Sequence, residues 1–474
     1  MSVTLVRNGT VITADAPARR ADVLIEDGVI TRIGTATGAV PDAVAGAVAG
    51  AVADTVVDAA GLLVMPGGID AHTHLDMPFG STTNADDFES GTIAAACGGT
   101  TTVIDFATPE AGEALYAALD QWHGRAAGKA VIDYGFHMVV REFDDRVAAE
   151  MDRLTRDDGV TSFKLFMAYP GRLMASDETI RQALVRSRNN GALICLHAEN
   201  GPVIETLIRE ALARGETAPK YHARTRPSST EGEAAGRAMA LAEQAGARVY
   251  IVHVSCSEAA GEIRRARDRG VAAFGETCPQ YLFLSDEEYE RPGFEGAKFV
   301  MSPPLRPRWH QDVLWKALQD DVLQVVATDH CPFCMDRPDH KPLGLHDFSK
   351  IPNGAPGIET RLMLLWDGGV RAGRIDEQRF VELTAAGPAK MFGLWPRKGT
   401  IAIGSDGDLM VWDPTRETTL AAATLHMRVD YNPYEGRVVR GGPVAVVSRG
   451  DLIVDRGRFV GRPGRGQFLK RGHA

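Results

Sequence analysis

The middle of this chain, residues 66–390, repeats one pattern eight times: a short apolar run rich in β-branched residues and then a longer stretch with helical spacing. The runs read VMPGGIDAH, TTVIDFA, AVIDYGFHMV, TSFKLFMA, ALICLHAE, RVYIVHVS, VAAFGETC and LQVVATDH. Stretches between them, such as GEALYAALDQWHGRA, DETIRQALVRSR and SEAAGEIRRARDRG, are typical of amphipathic helices. Eight such alternations predict an α/β fold, a (β/α)8 TIM barrel. A doubly wound open sheet is the alternative, but no Gly-x-Gly-x-x-Gly follows the first run.

The two ends of the chain have a different sequence pattern. TLVRNGTVITAD, ADVLIEDGVITRIG and TVVDAAGLLVMPG near the start, and KGTIAIGSDGDLMVWDP and GPVAVVSRGDLIVDRGRFVG near the end, alternate apolar and polar residues around turn signals. They predict a small β-sandwich domain built from both termini. We place this domain at 1–64 and 391–474 and the barrel at 65–390. The Ala/Val/Gly-rich segment 38–54 is too short to span a bilayer, and we interpret it as a surface loop or short helix.

Composition narrows the class of protein. The 52 basic and 62 acidic residues give a net charge of −10, which argues against nucleic acid or an anionic membrane as a partner. The N-terminus lacks the layout of a secretory signal and no apolar run reaches membrane length, so we expect a cytoplasmic protein. The six scattered cysteines favour buried free thiols over a disulfide framework. The CPFC motif at 331–334 has metal or redox spacing, but no second pair exists to complete a four-sulfur site.

Polar side chains that can bind a metal lie at or near the carboxyl ends of five of the runs, where barrel enzymes assemble their sites. These six candidate ligands are His72, His74, Lys164, His197, His253 and Asp329. A lone strand histidine is usually a packing residue, but burying so many polar groups at one end of a barrel is costly without partners. Four imidazoles and a carboxylate suit Zn²⁺, with Mn²⁺, Fe²⁺ or Co²⁺ as substitutes. Lys164 does not fit this reading, because an ammonium repels cations; taken alone, it is a lysine snorkelling from a strand end.

Seven motifs carry a resemblance to a known family. PGGIDAHTHLDMPF, FKLFMAY, HAENG, IVHVSC, GETCPQYL, SPPLR and ATDHCPF closely resemble the cyclic amidohydrolases, and within them the dihydropyrimidinase/D-hydantoinase family. The resemblance extends from about residue 5 to 460. It implies a hydrolase that opens the cyclic amide of dihydropyrimidines or 5-substituted hydantoins, giving N-carbamoyl amino acids.

The resemblance also assigns roles to the candidate residues. It implies that Lys164 is carboxylated and that the resulting carbamate bridges two divalent metal ions, which removes the electrostatic objection to a lysine. His72 and His74, with Asp329, would bind the first ion, and His197 and His253 the second. Water shared by two cations loses a proton readily and would attack the ring carbonyl.

Further residues are carried over at matching positions. Tyr169 would donate a hydrogen bond to the developing oxyanion, although a packing tyrosine at the barrel rim is the alternative. Asp329 would carry the proton from the attacking water to the leaving amide nitrogen. Ser302 and Asn353 correspond to positions whose backbone groups hold the cyclic amide.

An apolar wall is expected to meet the ring substituents. By position after the first and fourth runs, its candidates are Met77, Phe79, Phe166 and Leu173. Core packing is the competing interpretation for Phe166. Because such a wall discriminates shape by only about 1–3 kcal/mol per methylene, the sequence leaves the natural substrate open.

The sequence disfavours two kinds of alternative function. An allantoinase is disfavoured because HLDMPFG resembles the sequence that follows the histidine pair in hydantoinases. A dihydroorotase is disfavoured because this segment lacks a basic group for the substrate carboxylate. A non-catalytic scaffold of the same family is disfavoured because every metal ligand is present. The resemblance further implies a homotetramer that acts on a small molecule. The ligand types make zinc the first choice of metal, and they also accept other divalent ions.

Overall fold

A computed structural model describes residues 2–34, 53–80 and 82–473 of the chain. All but the last two residues of the segment 38–54 therefore lie outside the described residues. The strands are β1 Val3–Val11, β2 Arg19–Glu26, β3 Val29–Gly34, β4 Thr55–Asp58, β5 Leu63–Pro66, β6 Gly68–Thr73, β7 Pro78–Phe79, β8 Thr82–Thr83, β9 Thr100–Ala107, β10 Asp133–Val139, β11 Ser162–Phe166, β12 Leu193–His197, β13 Val249–Ile251, β14 Ala273–Thr277, β15 Val325–Val326, β16 Leu409–Thr419, β17 Val438–Ser448, β18 Asp451–Asp455 and β19 Arg458–Phe459.

Eight parallel strands form the barrel. Their hydrogen-bonded order is β6, β9, β10, β11, β12, β13, β14 and β15, so neighbours in space are also neighbours along the chain. The segment after β15 returns to β6, where the Asp329 N–H donates to the His72 carbonyl over 3.0 Å and the His74 N–H donates to the His330 carbonyl over 2.9 Å. These bonds close the ring. Each of the eight apolar runs supplies one strand of the barrel, and the TIM barrel prediction is confirmed.

Helices connect successive strands. The α-helices of the described residues are Phe88–Cys97, Leu115–Ala126, Asp145–Arg153, Asp177–Asn190, Gly201–Ala213, Tyr221–Arg224, Ser228–Ala245, Ser257–Asp268, Pro279–Phe283, Trp309–Gln319, Arg361–Leu365, Glu377–Val381 and Gly387–Met391. Local sequence sets their ends. The Asp87 side chain accepts from the backbone of Ser90 at the start of the first helix, and Gly191 ends the fourth with a φ of 78°. None of the helices in these ranges is long and apolar enough to cross a membrane.

The two termini build a second sheet, as the sequence predicted. Strands β1–β5 and β16–β19 form one nine-stranded, mostly antiparallel sheet, in which β16 pairs with β5 and so joins the two ends of the chain. The first apolar run is divided between the two sheets. Its start lies in the strand Leu63–Pro66 of the terminal sheet, and its end lies in the strand Gly68–Thr73, which opens the barrel.

The last residues of the chain pack beneath the barrel. Leu469 is buried in a cluster with the barrel residues Ile69, Ala71 and Ile104. The Leu469 N–H donates to the Tyr134 carbonyl over 2.7 Å. The tail therefore covers the end of the barrel that faces away from the polar strand ends.

Candidate active site at the carboxyl ends of the barrel strands

Two predicted ligands from the first strand meet a third from the last. The Nε2 atoms of His72 and His74 lie 3.1 and 3.2 Å from the same oxygen, Oδ1 of Asp329. Asp329 reaches them because its backbone N–H is bonded to the His72 carbonyl where the barrel closes. The three residues therefore face one point, although 255 residues separate His74 from Asp329 in the sequence.

His197 and His253 form the second half of the site. The His197 Nδ1 atom lies 3.0 Å from the His253 Nε2 atom. The two halves adjoin, because the ring centroids of His72 and His253 are 5.3 Å apart. All four imidazoles that the sequence singled out are thus brought together at the carboxyl end of the barrel.

Three of the predicted site residues have an uncommon backbone conformation. The φ angles of Tyr169, His253 and Asp329 are 64°, 41° and 52°, in the left-handed region that side chains with a Cβ rarely adopt. Each such residue costs on the order of 1–3 kcal/mol, and such residues cluster at active sites. In each of these three residues, the left-handed conformation lies just after the end of a barrel strand.

Protonation at the site suits cation binding. Burial lowers the pKa of His74 to about 4 and holds the pKa of His253 well below its ordinary value, so both rings are neutral near pH 7. Burial alone would raise the pKa of Asp329, but the charge of His72 and the hydrogen bonds of His72 and His74 outweigh it and hold this pKa well below the usual range. The neutral His74 and His253 rings and the ionised Asp329 are already in the forms that bind metals. At His72, the charges of Glu276 and Asp329 outweigh burial and raise the pKa, so a metal ion would displace a proton from this ring.

Lys164 lies within the same group of residues. It is 1% exposed, and its Nζ atom sits 4.7 Å from the centroid of the Phe106 ring and 5.1 Å from that of Phe166. Across the ranges that the structure describes, no carboxylate forms an ion pair with it. Burial lowers the pKa of Lys164 to about 8. A neutral amine is therefore accessible at this position near neutral pH.

A fit to metal ions can be tested on the donor atoms themselves. His74 Nδ1 and His253 Nδ1 are buried without a hydrogen-bond partner among the described residues. His72, His253 and Asp329 also offer ligand atoms that all lie within 4.8 Å of one another. Because unpaired buried nitrogens are costly, these donors fit divalent cations.

Three residues that contact the histidines were missed from the sequence. Glu276, at the end of β14, accepts a hydrogen bond from His72 Nδ1, and Glu199 accepts one of 2.9 Å from His197 Nε2. These carboxylates orient the rings so that the opposite nitrogens face inward. Phe106 packs its ring against both His72 and His74, with centroids 4.6 and 5.1 Å away. One signal was available, since Glu276 lies at the end of the seventh run, like the ligands on the other runs.

Tyr169 adjoins the histidines and the predicted substrate-holding residues. Its ring centroid lies 5.3 Å from that of His197, and the Ser302 and Asn353 side chains adjoin its hydroxyl. The Asn353 Nδ2 atom donates to Ser302 Oγ over 3.0 Å. Burial and the charge of Glu199 raise the pKa of Tyr169 to about 12, so the hydroxyl keeps its proton.

Lys341, which the sequence did not single out, joins the two segments that carry Ser302 and Asn353. Its Nζ atom donates to the carbonyls of Val300, Pro352 and Gly354 over 2.8, 2.8 and 2.7 Å. The side chain is fully buried. It thus fixes the backbone on both sides of the predicted substrate position.

The candidate wall residues come from two segments that lie side by side, the hairpin at Phe79 and the segment that begins at the end of β11. The Phe79 ring packs against Phe333, with centroids 5.4 Å apart, and the Arg172 guanidinium lies 5.6 Å from the Phe79 centroid. Leu173 follows Arg172 and is half-buried, and the Phe166 ring lies 6.0 Å from that of Tyr169. Met77 is half-buried, and its backbone pairs with Asn84 at the base of the Phe79 hairpin.

A closed parallel barrel with histidines, a buried lysine and an aspartate at its strand ends defines a class of TIM-barrel hydrolases. The chain belongs to the amidohydrolase family, whose profile matches residues 63–453. It is 51% identical to the D-hydantoinase of Geobacillus stearothermophilus over 98% of this chain and 96% of that protein. It is also 51% identical to the D-hydantoinase of Streptomyces coelicolor, over 99% and 98% of the two chains.

Comparison with solved structures indicates the same family. The crystal structure of dihydropyrimidinase from Brevibacillus agri matches with a TM-score of 0.95 and 49% identity, covering 99% of both chains. The resemblance to the dihydropyrimidinase/D-hydantoinase family is therefore confirmed. Amidohydrolases are generally binuclear metal-dependent enzymes. The roles of individual residues stay predictions.

Proposed function

We propose that this protein hydrolyses the cyclic amide bond of dihydropyrimidines and 5-substituted hydantoins, giving N-carbamoyl amino acids. The observation that carries the proposal is the convergence of four histidines, Lys164 and Asp329 at one end of a barrel whose full-length relatives are named D-hydantoinases. Hydrolysis of such a ring places the protein in pyrimidine catabolism or in the breakdown of related cyclic ureides.

Two divalent cations are the proposed cofactors, with Zn²⁺ preferred over Mn²⁺, Co²⁺ or Fe²⁺. His72, His74 and Asp329 would hold one ion, His197 and His253 would hold the other, and Lys164, carboxylated by CO₂, would bridge them. The cations would supply an activated water and polarise the ring carbonyl. A buried lysine with a lowered pKa supports the carboxylation, because only the neutral amine reacts with CO₂.

Asp329 is the proposed proton carrier. Its carboxylate is ionised and faces the point on which His72 and His74 converge, so it can accept a proton from the attacking water. The same group then delivers the proton to the leaving amide nitrogen. Its left-handed backbone directs the side chain to this point.

Tyr169 is the proposed donor to the oxyanion. Its hydroxyl is protonated, lies beside His197 and adjoins Ser302 and Asn353, whose backbone groups would hold the cyclic amide. A preorganised donor of this kind stabilises the charge that develops on the carbonyl oxygen. Phe79, Met77, Leu173 and Phe166 would form the wall against the ring substituent.

The substrate class is tested by turnover of the metal-loaded protein on dihydrouracil, 5-substituted hydantoins, allantoin and dihydroorotate in parallel. Hydrolysis of the first two supports the proposal. Turnover of allantoin alone would move the assignment to an allantoinase, and turnover of none would favour a non-catalytic scaffold. Light scattering of the same preparation tests the proposed homotetramer, and fractionation of cells tests the cytoplasmic location.

The bridge is tested by Lys164→Ala. The variant is expected to lose bound metal and hydrolysis together, because no anion joins the two halves of the site. Labelled CO₂ should give a carbamate signal in the unmodified protein and none in the variant. Lys341→Met, which removes another fully buried lysine, is the matched control and should keep both metal and carbamate. Two bound metals and normal turnover in Lys164→Ala would refute the bridge.

A further inference from the structure

A second cluster of metal-binding side chains lies apart from the residues of the candidate active site. Cys97, at the end of the helix Phe88–Cys97, meets Glu359, which precedes the helix Arg361–Leu365, and His426, from the terminal part of the chain. Their ligand atoms all lie within 4.8 Å of one another. Cys97 and Glu359 are 7% and 4% exposed.

Glu359 fixes the orientation of His426. One carboxylate oxygen accepts from the His426 backbone N–H over 2.6 Å, and the other accepts from the ring Nδ1 over 2.8 Å. With Nδ1 engaged, the remaining ring nitrogen, Nε2, faces the Cys97 sulfur at 3.7 Å. A carboxylate behind a histidine is the usual outer partner of a metal-bound imidazole.

The spacing of sulfur and nitrogen fits a single ion. Tetrahedral zinc, with bonds of about 2.3 Å to sulfur and about 2.0–2.1 Å to nitrogen, separates two such ligands by about 3.6 Å. The local charges also favour a cation. A Cys97 thiolate and the Glu359 carboxylate would balance a divalent ion. Cys97 lies at the carboxyl end of its helix, where the helix dipole is negative. The His426 side chain is 33% exposed, which opens the cluster to solvent.

We propose that Cys97 Sγ and His426 Nε2 bind a thiophilic divalent cation such as Zn²⁺, with Glu359 as the group that positions the imidazole. Binding forms a sulfur–metal bond and releases the thiol proton to water. Solvent completes the coordination from the exposed side of His426. The ion joins three segments that are distant in sequence, and it does so without any residue of the candidate active site.

Cobalt substitution separates the two kinds of site. None of the ligands proposed for the barrel site carries sulfur, so a near-ultraviolet thiolate-to-Co²⁺ charge-transfer band does not come from that site. Its loss in Cys97→Ser assigns the band to the second cluster rather than to Cys334, which lies beside Asp336 and Asp430. The chelator-treated protein titrated with Co²⁺ should develop this band. Cys97→Ser should abolish it and bind one metal fewer per chain, and His426→Gln should weaken the affinity of the band-forming site at least tenfold.

A matched control comes from Cys256, another buried thiol, which donates to the Ser228 carbonyl over 3.7 Å rather than facing an imidazole. Cys256→Ser should keep the band. Hydrolysis should be unchanged in Cys97→Ser, so the result is independent of the proposed function. A native protein without the band, or a band that survives in Cys97→Ser, would overturn the proposal.

Discussion

Glu276 provides the sharpest test of how the barrel site is organised. Its Oε1 atom accepts from His72 Nδ1 and, over 3.2 Å, from the His253 backbone N–H, while its Oε2 atom accepts from the Tyr250 hydroxyl over 2.9 Å. Glu276→Gln keeps the volume. Its amide oxygen can accept the two N–H groups, and the Tyr250 hydroxyl can turn to accept from the amide nitrogen. The substitution therefore removes the charge and keeps the number of hydrogen bonds.

The expected loss follows from that charge. A carboxylate behind a ligating histidine makes the imidazole more basic, and its removal typically lowers metal affinity by about 10- to 100-fold. This corresponds to about 1.4–2.7 kcal/mol of binding free energy. Because Glu276 and His72 are both fully buried, solvent does not screen the interaction, and the upper half of the range is expected.

Metal affinity is measured by competition with a chelator, with bound metal counted per chain, so the assay does not depend on turnover. Tyr250→Phe is the matched control. It removes a hydrogen bond from the other oxygen and leaves the charge, so the affinity should change by less than about threefold. Glu276→Gln with an affinity within about twofold of the unmodified protein would refute the role of Glu276 in positioning His72.

Three further predictions concern other parts of the molecule. Tyr169→Phe should lower kcat by about 10²- to 10³-fold with bound metal unchanged, and a kcat within about threefold would exclude the oxyanion role. Burial lowers the pKa of Lys341 from 10.5 to about 7. Between these two pH values the unfolded chain therefore binds more protons than the folded chain, so the free energy of unfolding should rise with pH. Thermal unfolding should show a higher melting temperature at about pH 9 than at about pH 7, and Lys341→Met should lack this rise. Leu469→Ala should cost about 2–5 kcal/mol in chemical unfolding and leave kcat unchanged, and a cost below about 0.5 kcal/mol would contradict its packing role.

The barrel was predictable because its signal is local and repeated. Each apolar run forms one barrel strand, and the six candidate ligands lie at or near the ends of five of the runs. Parallel strands bring their carboxyl ends to one side of the sheet, so these side chains had to meet. The division of the first run between two sheets was not predictable, because one continuous apolar stretch serves both Leu63–Pro66 and Gly68–Thr73.

Contacts between segments that share no sequence pattern could not be predicted from the sequence. The sequence around Lys341 does not indicate a structural role. That role depends on three carbonyl groups that accept from its Nζ atom, two in the segment 352–354 and one at Val300. Cys97 and His426 are 329 residues apart and lie on elements with no common repeat. Nothing in the local composition around either residue points to the other.

The sequence by itself determined the type of fold and the kinds of residue at the mouth of the barrel, because strand periodicity and strand ends depend on near neighbours in the chain. Only the tertiary structure decided how those residues are oriented. Closure of the ring sets Asp329 against His72 and His74, and Glu276 selects the nitrogen that His72 turns inward. The physical reason is that a hydrogen bond or a packed ring depends on distance in space, and a closed barrel sets those distances through the whole ring of strands.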